Sequence, residues 1–210
     1  MIDLYTFATP NGRKVSIALE EMELPYNVKV VDITKGDQFK PEFLAINPNN
    51  KIPAIVDHAT VDHRPLTVFE SGAILLYLAE KTGKLLPSSP RGKAEVTQWL
   101  MFQMGGLGPM FGQLGYFTRF SKAYVPHAIE RYRNESKRIL GVLDEQLGKG
   151  DYVAGKFSIA DCAIYPWVAG MREYNPDIFT GLRNVPQYLA RVGSRPAVQR
   201  GMAVPDLSKK

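Results

Sequence analysis

The sequence predicts an α/β domain followed by an all-helical one. Three observations carry this. Within the first eighty residues, short apolar runs alternate with helical patterns in the order strand, helix, strand, loose helix, strand, strand, helix. Beyond residue 90 no stretch reads as a strand, and apolar residues recur at helical spacing. Charge divides the same way. Residues 1–82 hold 8 Lys and Arg against 11 Asp and Glu, a balance of −3, while residues 83–210 hold 18 against 10, a balance of +8. Two halves of opposite sign point to two domains with different tasks.

Ile2-Asp3-Leu4-Tyr5-Thr6-Phe7 alternates as a strand does. Ala8 to Gly12 reads as a turn by composition. From Arg13 a helix is expected, because Val15, Ala18, Leu19 and Met22 recur at i, i+3, i+4 and i+7, and Pro25 lies just beyond. Tyr26 to Asp32 is a second alternating strand. A strand–helix–strand unit of this length implies parallel pairing. Lys35 to Asn50 is polar and punctuated, with a short helix around Glu42 to Ala45. A third strand opens at Ile52-Pro53. A polar connection from Asp57 to Pro65 leads to a fourth at Leu66 to Phe69, and the two are expected to be antiparallel. A helix then starts at Glu70-Ser71. The sum is βαβ-α-ββα around a mixed four-stranded sheet.

Gly83 to Pro90 is the linker by its Gly, Pro and Ser content, dividing a domain at 1–82 from one at 91–210. Helices are expected over Lys93 to Phe102, Met110 to Phe120, His127 to Leu147, from Ser158 through Trp167, and over Pro186 to Val192 and Pro196 to Met202. Gly105-Gly106-Leu107-Gly108-Pro109 should bend or break the helical run. Ser158-Ile159-Ala160-Asp161 has the form of a capping box with Asp in place of Glu.

A chain of 210 residues with 45% hydrophobic and 22% charged residues is an ordinary globular composition with enough length for a real core. No apolar run approaches the roughly 20 residues that span a bilayer, so no membrane partner is expected. The start, Met1 to Tyr5, carries no targeting pattern. Cys162 is the single cysteine, which excludes an intrachain disulfide and is in keeping with a reducing, cytoplasmic compartment.

Several chemistries are set aside. Ser71 lies in Glu-Ser-Gly and not in a nucleophile elbow, and no spacing pairs it with His58, His63 or His127. His58 and His63 lie on a polar connection without a Cys pair, so no metal is expected. Gly105-Gly106-x-Gly108 lacks the strand and the Gly-Lys ending of a phosphate loop. Cys162 sits in an apolar helical stretch, where a thiol packs and does not react. Arg131, Arg133, Lys137 and Arg138 are interleaved with Glu130 and Glu135, a solvated helix face and not a nucleic-acid stripe. What remains is the helix N-terminus at Glu70-Ser71, which suits an anion.

The order βαβ–ββα, with Ile52-Pro53 opening the third strand and Glu70-Ser71 opening the helix after the fourth, resembles the thioredoxin fold of the cytosolic glutathione transferases. The helical second half with Ser158-Ile159-Ala160-Asp161 resembles that family's second domain, so the likeness covers essentially the whole chain. Thr9-Pro10-Asn11-Gly12-Arg13-Lys14 and Asn47-Pro48-Asn49-Asn50-Lys51-Ile52-Pro53-Ala54-Ile55 are similar to the Nu-class and yeast prion-related (Ure2p-like) transferases. Within that group, the bacterial glutathione-dependent disulfide-bond oxidoreductases are the best match. Gly105 to Met110 and Ile129-Glu130-Arg131-Tyr132 agree with that subclass.

The resemblance implies a division of labour over one bound glutathione. Ser71 would take the γ-glutamyl carboxylate and Glu70 the ammonium beside it. Ile52 would offer its backbone to the cysteinyl moiety across a cis bond to Pro53, as one more strand. Lys51 and Gln38 would hold the glycine carboxylate end. Thr9 and Asn11 would lie near the sulfur and donate hydrogen bonds to its thiolate, the reactive species. Tyr5 sits too early in the first strand for that role. Arg131 would reach the ligand from the helical domain, and Asp161 would serve the fold by satisfying N–H groups at a buried helix start.

The implied activity is glutathione-dependent reduction of disulfides without a protein cysteine. Glutathione, reduced or as its disulfide, is the co-substrate. Conjugation of glutathione to electrophiles is the alternative, and a non-enzymatic glutathione-binding regulator the second alternative. The resemblance also implies a homodimer.

Overall fold

The structure, a computed structural model, describes residues 1–209. The chain forms two compact units. One is Met1–Leu86 joined by the segment from Arg195 onward, and the other is Pro87–Ser194.

In the first unit β1 (Ile2–Thr6), α1 (Pro10–Met22), β2 (Tyr26–Val30), α2 (Pro41–Leu44), β3 (Ala54–Asp57), β4 (Leu66–Phe69) and α3 (Ser71–Thr82) follow in order. The sheet runs β2-β1-β3-β4. β1 and β2 are parallel, while β1–β3 and β3–β4 are antiparallel, so the sheet is mixed as expected. Leu4 and Ile55 of the central strands and Ile17, Ile74 and Leu75 of the helices are fully buried. That burial drives the helices onto the sheet, at about 1.5–3 kcal/mol per large aliphatic side chain. β2 is an edge strand and mostly exposed, which is why its alternation carries little core.

One helix start in this unit differs from expectation. α1 begins at Pro10 and not at Arg13. Thr9 is extended at φ −122°, and its Oγ1 accepts a hydrogen bond from Gly12 N at 3.3 Å. A Thr cap followed by Pro is a favoured way to start a helix, because Pro has no N–H to orphan. Residues 10–12, expected as a turn, are therefore the first turn of α1. α3 opens at Glu70-Ser71 as expected, with Glu70 at the cap position and Ser71 the first helical residue. Ile52-Pro53 lies just ahead of β3, and its peptide bond is cis.

The second unit holds α4 (Pro90–Phe102), α5 (Gly108–Gly115), α6 (Pro126–Leu147), α7 (Ile159–Tyr174) and α8 (Asn184–Gly193). The expected interruption at 105–109 is a π-helical turn over Gln103–Leu107. Pro109 offers no N–H to the preceding turn, and Gly108 N bonds back to Gln103 O over the wider spacing. The capping box at the start of α7 is formed in both directions. Asp161, fully buried, accepts from Val153 N at 3.2 Å, Ser158 N at 3.0 Å and Ser158 Oγ at 3.1 Å.

A short helix, α9 (Pro196–Met202), belongs to the first unit, whereas the sequence reading kept 91–210 together. It packs on α1 through buried Val198 and Gly201. Arg195 forks onto Glu21 with two bonds of 2.7 Å, and Arg200 Nε meets Glu20 Oε2 at 2.6 Å.

Candidate functional site

The strand register gathers one set of residues at one end of the sheet. Val30 pairs with Thr6, Ala54 with Tyr5, and Ala54 with Phe69. The next residues along, Val31, Phe7, Pro53 and Glu70, therefore all leave the sheet at that end. The cap of α1, the Ile52-Pro53 bond, the cap of α3 and the loop after β2 converge there, because side-by-side strands share their ends. Thr9, Asn11, Gln38, Lys51, Ile52, Pro53, Glu70 and Ser71 all lie on these four connections.

Each connection has a local reason for its shape. Asn47 is buried; its Nδ2 donates to Lys51 O at 2.6 Å and its Oδ1 accepts from Asn49 N at 2.9 Å. This folds Asn47-Pro48-Asn49-Asn50 back on itself, with Asn50 in the left-handed region at φ 48°, and presents Lys51 to solvent. Gln38 sits on a single 3₁₀ turn, Asp37–Phe39, entered through Gly36 at φ 81°. Its Oε1 is buried with no hydrogen-bond partner, and its Nε2 reaches Ile33 O only at 3.5 Å.

Both helix N-termini at this end are electropositive. Neither α1 nor α3 carries an acid in its first turn, and no side chain caps α3. Glu70 is held at φ 68°, ψ 114°, a conformation that a residue with a Cβ rarely adopts. Its carboxylate is exposed while the neighbouring Ser71 is buried at 4% exposure. The corner thus sets a negative group and a positive helix end side by side, the pattern that fits a zwitterion. Strained non-glycine backbone of this kind clusters at functional sites.

Near the end of β1 the hydroxyl on hand is Thr9, half-buried. Its oxygen accepts from Gly12 N, which leaves its proton to donate outward. Gly12 itself has no room for a side chain: a Cβ there would collide with Thr6 Oγ1 and Phe7 O. Asn11 is half-buried in the same first turn. Tyr5 is turned to a different cavity, with Val30, Phe43 and Ile46. Burial, with help from Asp3, raises its phenol pKa, so it is not set up to stabilise a thiolate.

Lys14 was missed by the sequence reading. It is 1% exposed on the inner face of α1, and its Nζ lies 3.2 Å from Ser71 Oγ. Burial pushes the ammonium down to about 7, with Glu70 pulling the other way. The signal was present: Lys14 lies four residues before Ala18, on the stripe counted from Val15.

Arg131 belongs to the second unit, exposed on α6. With Met110, His127, Glu130, Asn134 and Arg138 it lines a cavity of about 550 Å³. Cys162 is fully buried in α7. Among the described residues, no group of three or more His, Cys, Asp or Glu side chains could hold a metal ion. No helix among them is long and apolar enough to cross a membrane.

Residues 8–81 match the pattern of the glutathione S-transferase N-terminal domain, and residues 126–191 that of the glutathione S-transferase C-terminal domain. The chain belongs to the glutathione S-transferase family. Within it, the chain is 48% identical to the disulfide-bond oxidoreductase YfcG of Escherichia coli, over 96% of this chain and 94% of that protein. It is 40% identical to the disulfide-bond oxidoreductase YghU of the same organism, over 97% of this chain and 74% of that one. Among solved structures, a glutathione transferase from Burkholderia graminis superposes with a TM-score of 0.95 at 47% identity, covering 98% of this chain and 89% of that chain. That protein has two glutathione molecules bound per subunit. A glutathione transferase from Pseudomonas putida superposes at 0.94 with 48% identity, covering 97% and 91%, and has one glutathione disulfide bound per subunit.

Proposed function

We propose that this family member is a glutathione-dependent disulfide-bond reductase that works without a protein cysteine. The carrying observation is the convergence of two helix N-termini without acids in their first turns and the Ile52-Pro53 corner at one sheet end, in a unit that contains no cysteine. The sulfur chemistry must then come from the ligands. Relatives that hold two glutathiones, or one glutathione disulfide, in each subunit support this reading.

In this reading Ser71 and the start of α3 receive the γ-glutamyl carboxylate, and exposed Glu70 receives the ammonium. Ile52 pairs by its backbone with the cysteinyl residue, and Gln38 and Lys51 take the glycine end. Buried, unpartnered Gln38 Oε1 is one reason to place a donor group of the ligand there. Thr9 and Asn11 donate to the sulfur and stabilise it as thiolate. The thiolate attacks one sulfur of a substrate disulfide. The sulfur–sulfur bond breaks, one half leaves as a thiolate that takes up a proton, and a mixed disulfide forms. A second glutathione thiolate then attacks the glutathione sulfur of the mixed disulfide. It yields glutathione disulfide and releases the other half as a thiol, so two electrons pass from two glutathiones to one disulfide. The protein is proposed to act as a cytoplasmic homodimer.

The test is a parallel assay with 2-hydroxyethyl disulfide and with chlorodinitrobenzene at equal glutathione. Disulfide turnover well above conjugation supports reduction. Conjugation alone would make the protein a transferase toward electrophiles. Neither activity, with no thermal shift in millimolar glutathione, would leave a non-enzymatic role.

A further inference from the structure

Asn11-Gly12 is the one Asn-Gly pair in the sequence. Such a pair is chemically labile, because glycine has no side chain to hinder attack by its backbone nitrogen on the amide carbon of the asparagine before it. Packing makes the glycine obligatory here. Gly12 is buried, and a Cβ on it would collide with Thr6 Oγ1 and Phe7 O. Two features of the fold restrain the reaction. Asn11 lies in the first turn of α1. Ring closure needs Asn11 Cβ and Gly12 N eclipsed about the Cα–C bond, and helical ψ, roughly −40°, holds them well apart. Gly12 N, the attacking atom, is also one of the N–H groups that a helix start leaves without a backbone partner, and it donates to Thr9 Oγ1 at 3.3 Å. The Thr9 cap thus restrains both the nucleophile and the backbone angle.

We propose that Asn11 is a deamidation site kept latent by the Thr9 cap. When the first turn of α1 opens, Gly12 N loses its proton and bonds to Asn11 Cγ. The Cγ–Nδ2 bond breaks and ammonia leaves, closing a succinimide. Water then opens the ring at one carbonyl or the other, leaving aspartate or isoaspartate at position 11. The net change is one water taken up and one ammonia lost, with no oxidation or reduction. A carboxylate, which only accepts hydrogen bonds, replaces an amide that could donate. Isoaspartate also lengthens the main chain in the turn where Gly12 packs against Thr6 and Phe7. The effect on turnover rests on the proposed place of Asn11 beside the sulfur, where a carboxylate would disfavour the thiolate that the amide stabilises. The chemistry at Asn11 does not rest on it.

The experiment incubates the full-length protein at mildly alkaline pH and follows the Asn11 peptide by mass spectrometry, with Thr9→Ser, Thr9→Val and guanidinium-denatured wild type alongside. Deamidation in the folded wild type should be about tenfold or more slower than in the denatured chain. Thr9→Val keeps the shape and removes the acceptor, and it should deamidate about fivefold faster than wild type, the effect of a lost cap. Thr9→Ser should match the wild type. Equal rates in Thr9→Val and Thr9→Ser overturn the proposal, and so does a folded wild type that reacts as fast as the denatured chain. That second comparison decides if Thr9→Val does not fold. An Asn11 that survives even in the denatured chain overturns the site itself. Disulfide turnover of the incubated wild type should fall in proportion to the fraction modified. Full turnover after conversion of Asn11 would take that residue away from the sulfur and leave the latent site standing.

Discussion

Ser16 Oγ donates a 2.6 Å hydrogen bond to the carbonyl of Gly201, joining residues 185 positions apart in the middle of the α1–α9 contact. Both groups are buried, and the contact is close because Gly201 has no side chain: a Cβ there would meet the Ile17 backbone. The two substitutions separate packing from propensity. Ala is preferred over Gly in a helix by about 1 kcal/mol, so Gly201→Ala would stabilise if space allowed. The clash predicts the opposite, a fall in the thermal midpoint larger than that of Ser16→Ala. The latter should cost about 1–2 kcal/mol for the lost bond and the orphaned carbonyl. Thermal unfolding of the two variants checks the order, and a stabilised Gly201→Ala would contradict it.

Thr9 is assigned two duties that its variants can divide. As the cap of α1 it is worth about 1 kcal/mol of stability. As a donor to sulfur it should be worth about tenfold or more in disulfide turnover. Thr9→Ser keeps the hydroxyl and should keep both. Thr9→Asn keeps a cap and changes the donor, so it should hold stability while losing turnover. Equal turnover in the Asn and Ser variants would assign Thr9 to the helix alone.

Glu70→Gln and Ser71→Ala should weaken glutathione binding while leaving the fold intact. Glu70 is exposed and makes no cap bond, so Gln should shift the thermal midpoint little, yet it removes the partner proposed for the ammonium. Roughly tenfold weaker binding is expected from each, the scale of a charge-assisted hydrogen bond. Loss of stability without loss of affinity in both would return this corner to a purely structural role.

Cys162→Ala should leave disulfide turnover within about twofold of wild type. The thiol is fully buried within α7, with none of the exposure that a reactive cysteine needs. A small core truncation of this kind costs on the order of 1 kcal/mol. Substantial loss of turnover at an unchanged thermal midpoint would sink the cysteine-free route.

Period and punctuation explain where the sequence was readable. β1 and β3 alternate around buried Leu4 and Ile55, and the parallel β1–β2 pair follows from the length of the crossover. The Ser158-to-Asp161 box is written in four residues, and it forms as written. The helix start at Pro10 was harder, because composition at 8–12 suits a turn and a first helical turn equally. The difference lies in one bond, from Gly12 N to Thr9 Oγ1. Lys14 was not singled out in the sequence, because lysines are seldom buried. Its neighbour Ser71 is 57 positions away, and only the packing of α1 on α3 brings them together. α9 was assigned to the helical half for the same reason: its partners, Ser16, Glu20 and Glu21, lie at the opposite end of the chain.

Asp161 should give the protein a stability term that weakens as pH rises. Burial pushes its carboxyl up to about 6, against the pull of bonds from Val153 and Ser158. In the unfolded chain an Asp titrates near 4, so between about 4 and 6 the folded state binds the extra proton. Folding then takes up a proton, and stability from this group falls as pH rises through that window, by about 2–3 kcal/mol in all. Other carboxylates work in the opposite sense: Asp57 is held low despite burial, by bonds from Lys81 and Tyr77. The Asp161 contribution must therefore be read as a difference. Asp161→Asn cannot titrate and loses one acceptor, so it should be less stable than wild type at every pH. The gap between them should be largest near pH 4 and narrow toward pH 6.5. Denaturant unfolding of both proteins across this range measures it. A gap that widens with pH would mean that the carboxylate is better solvated by its hydrogen bonds than its burial implies.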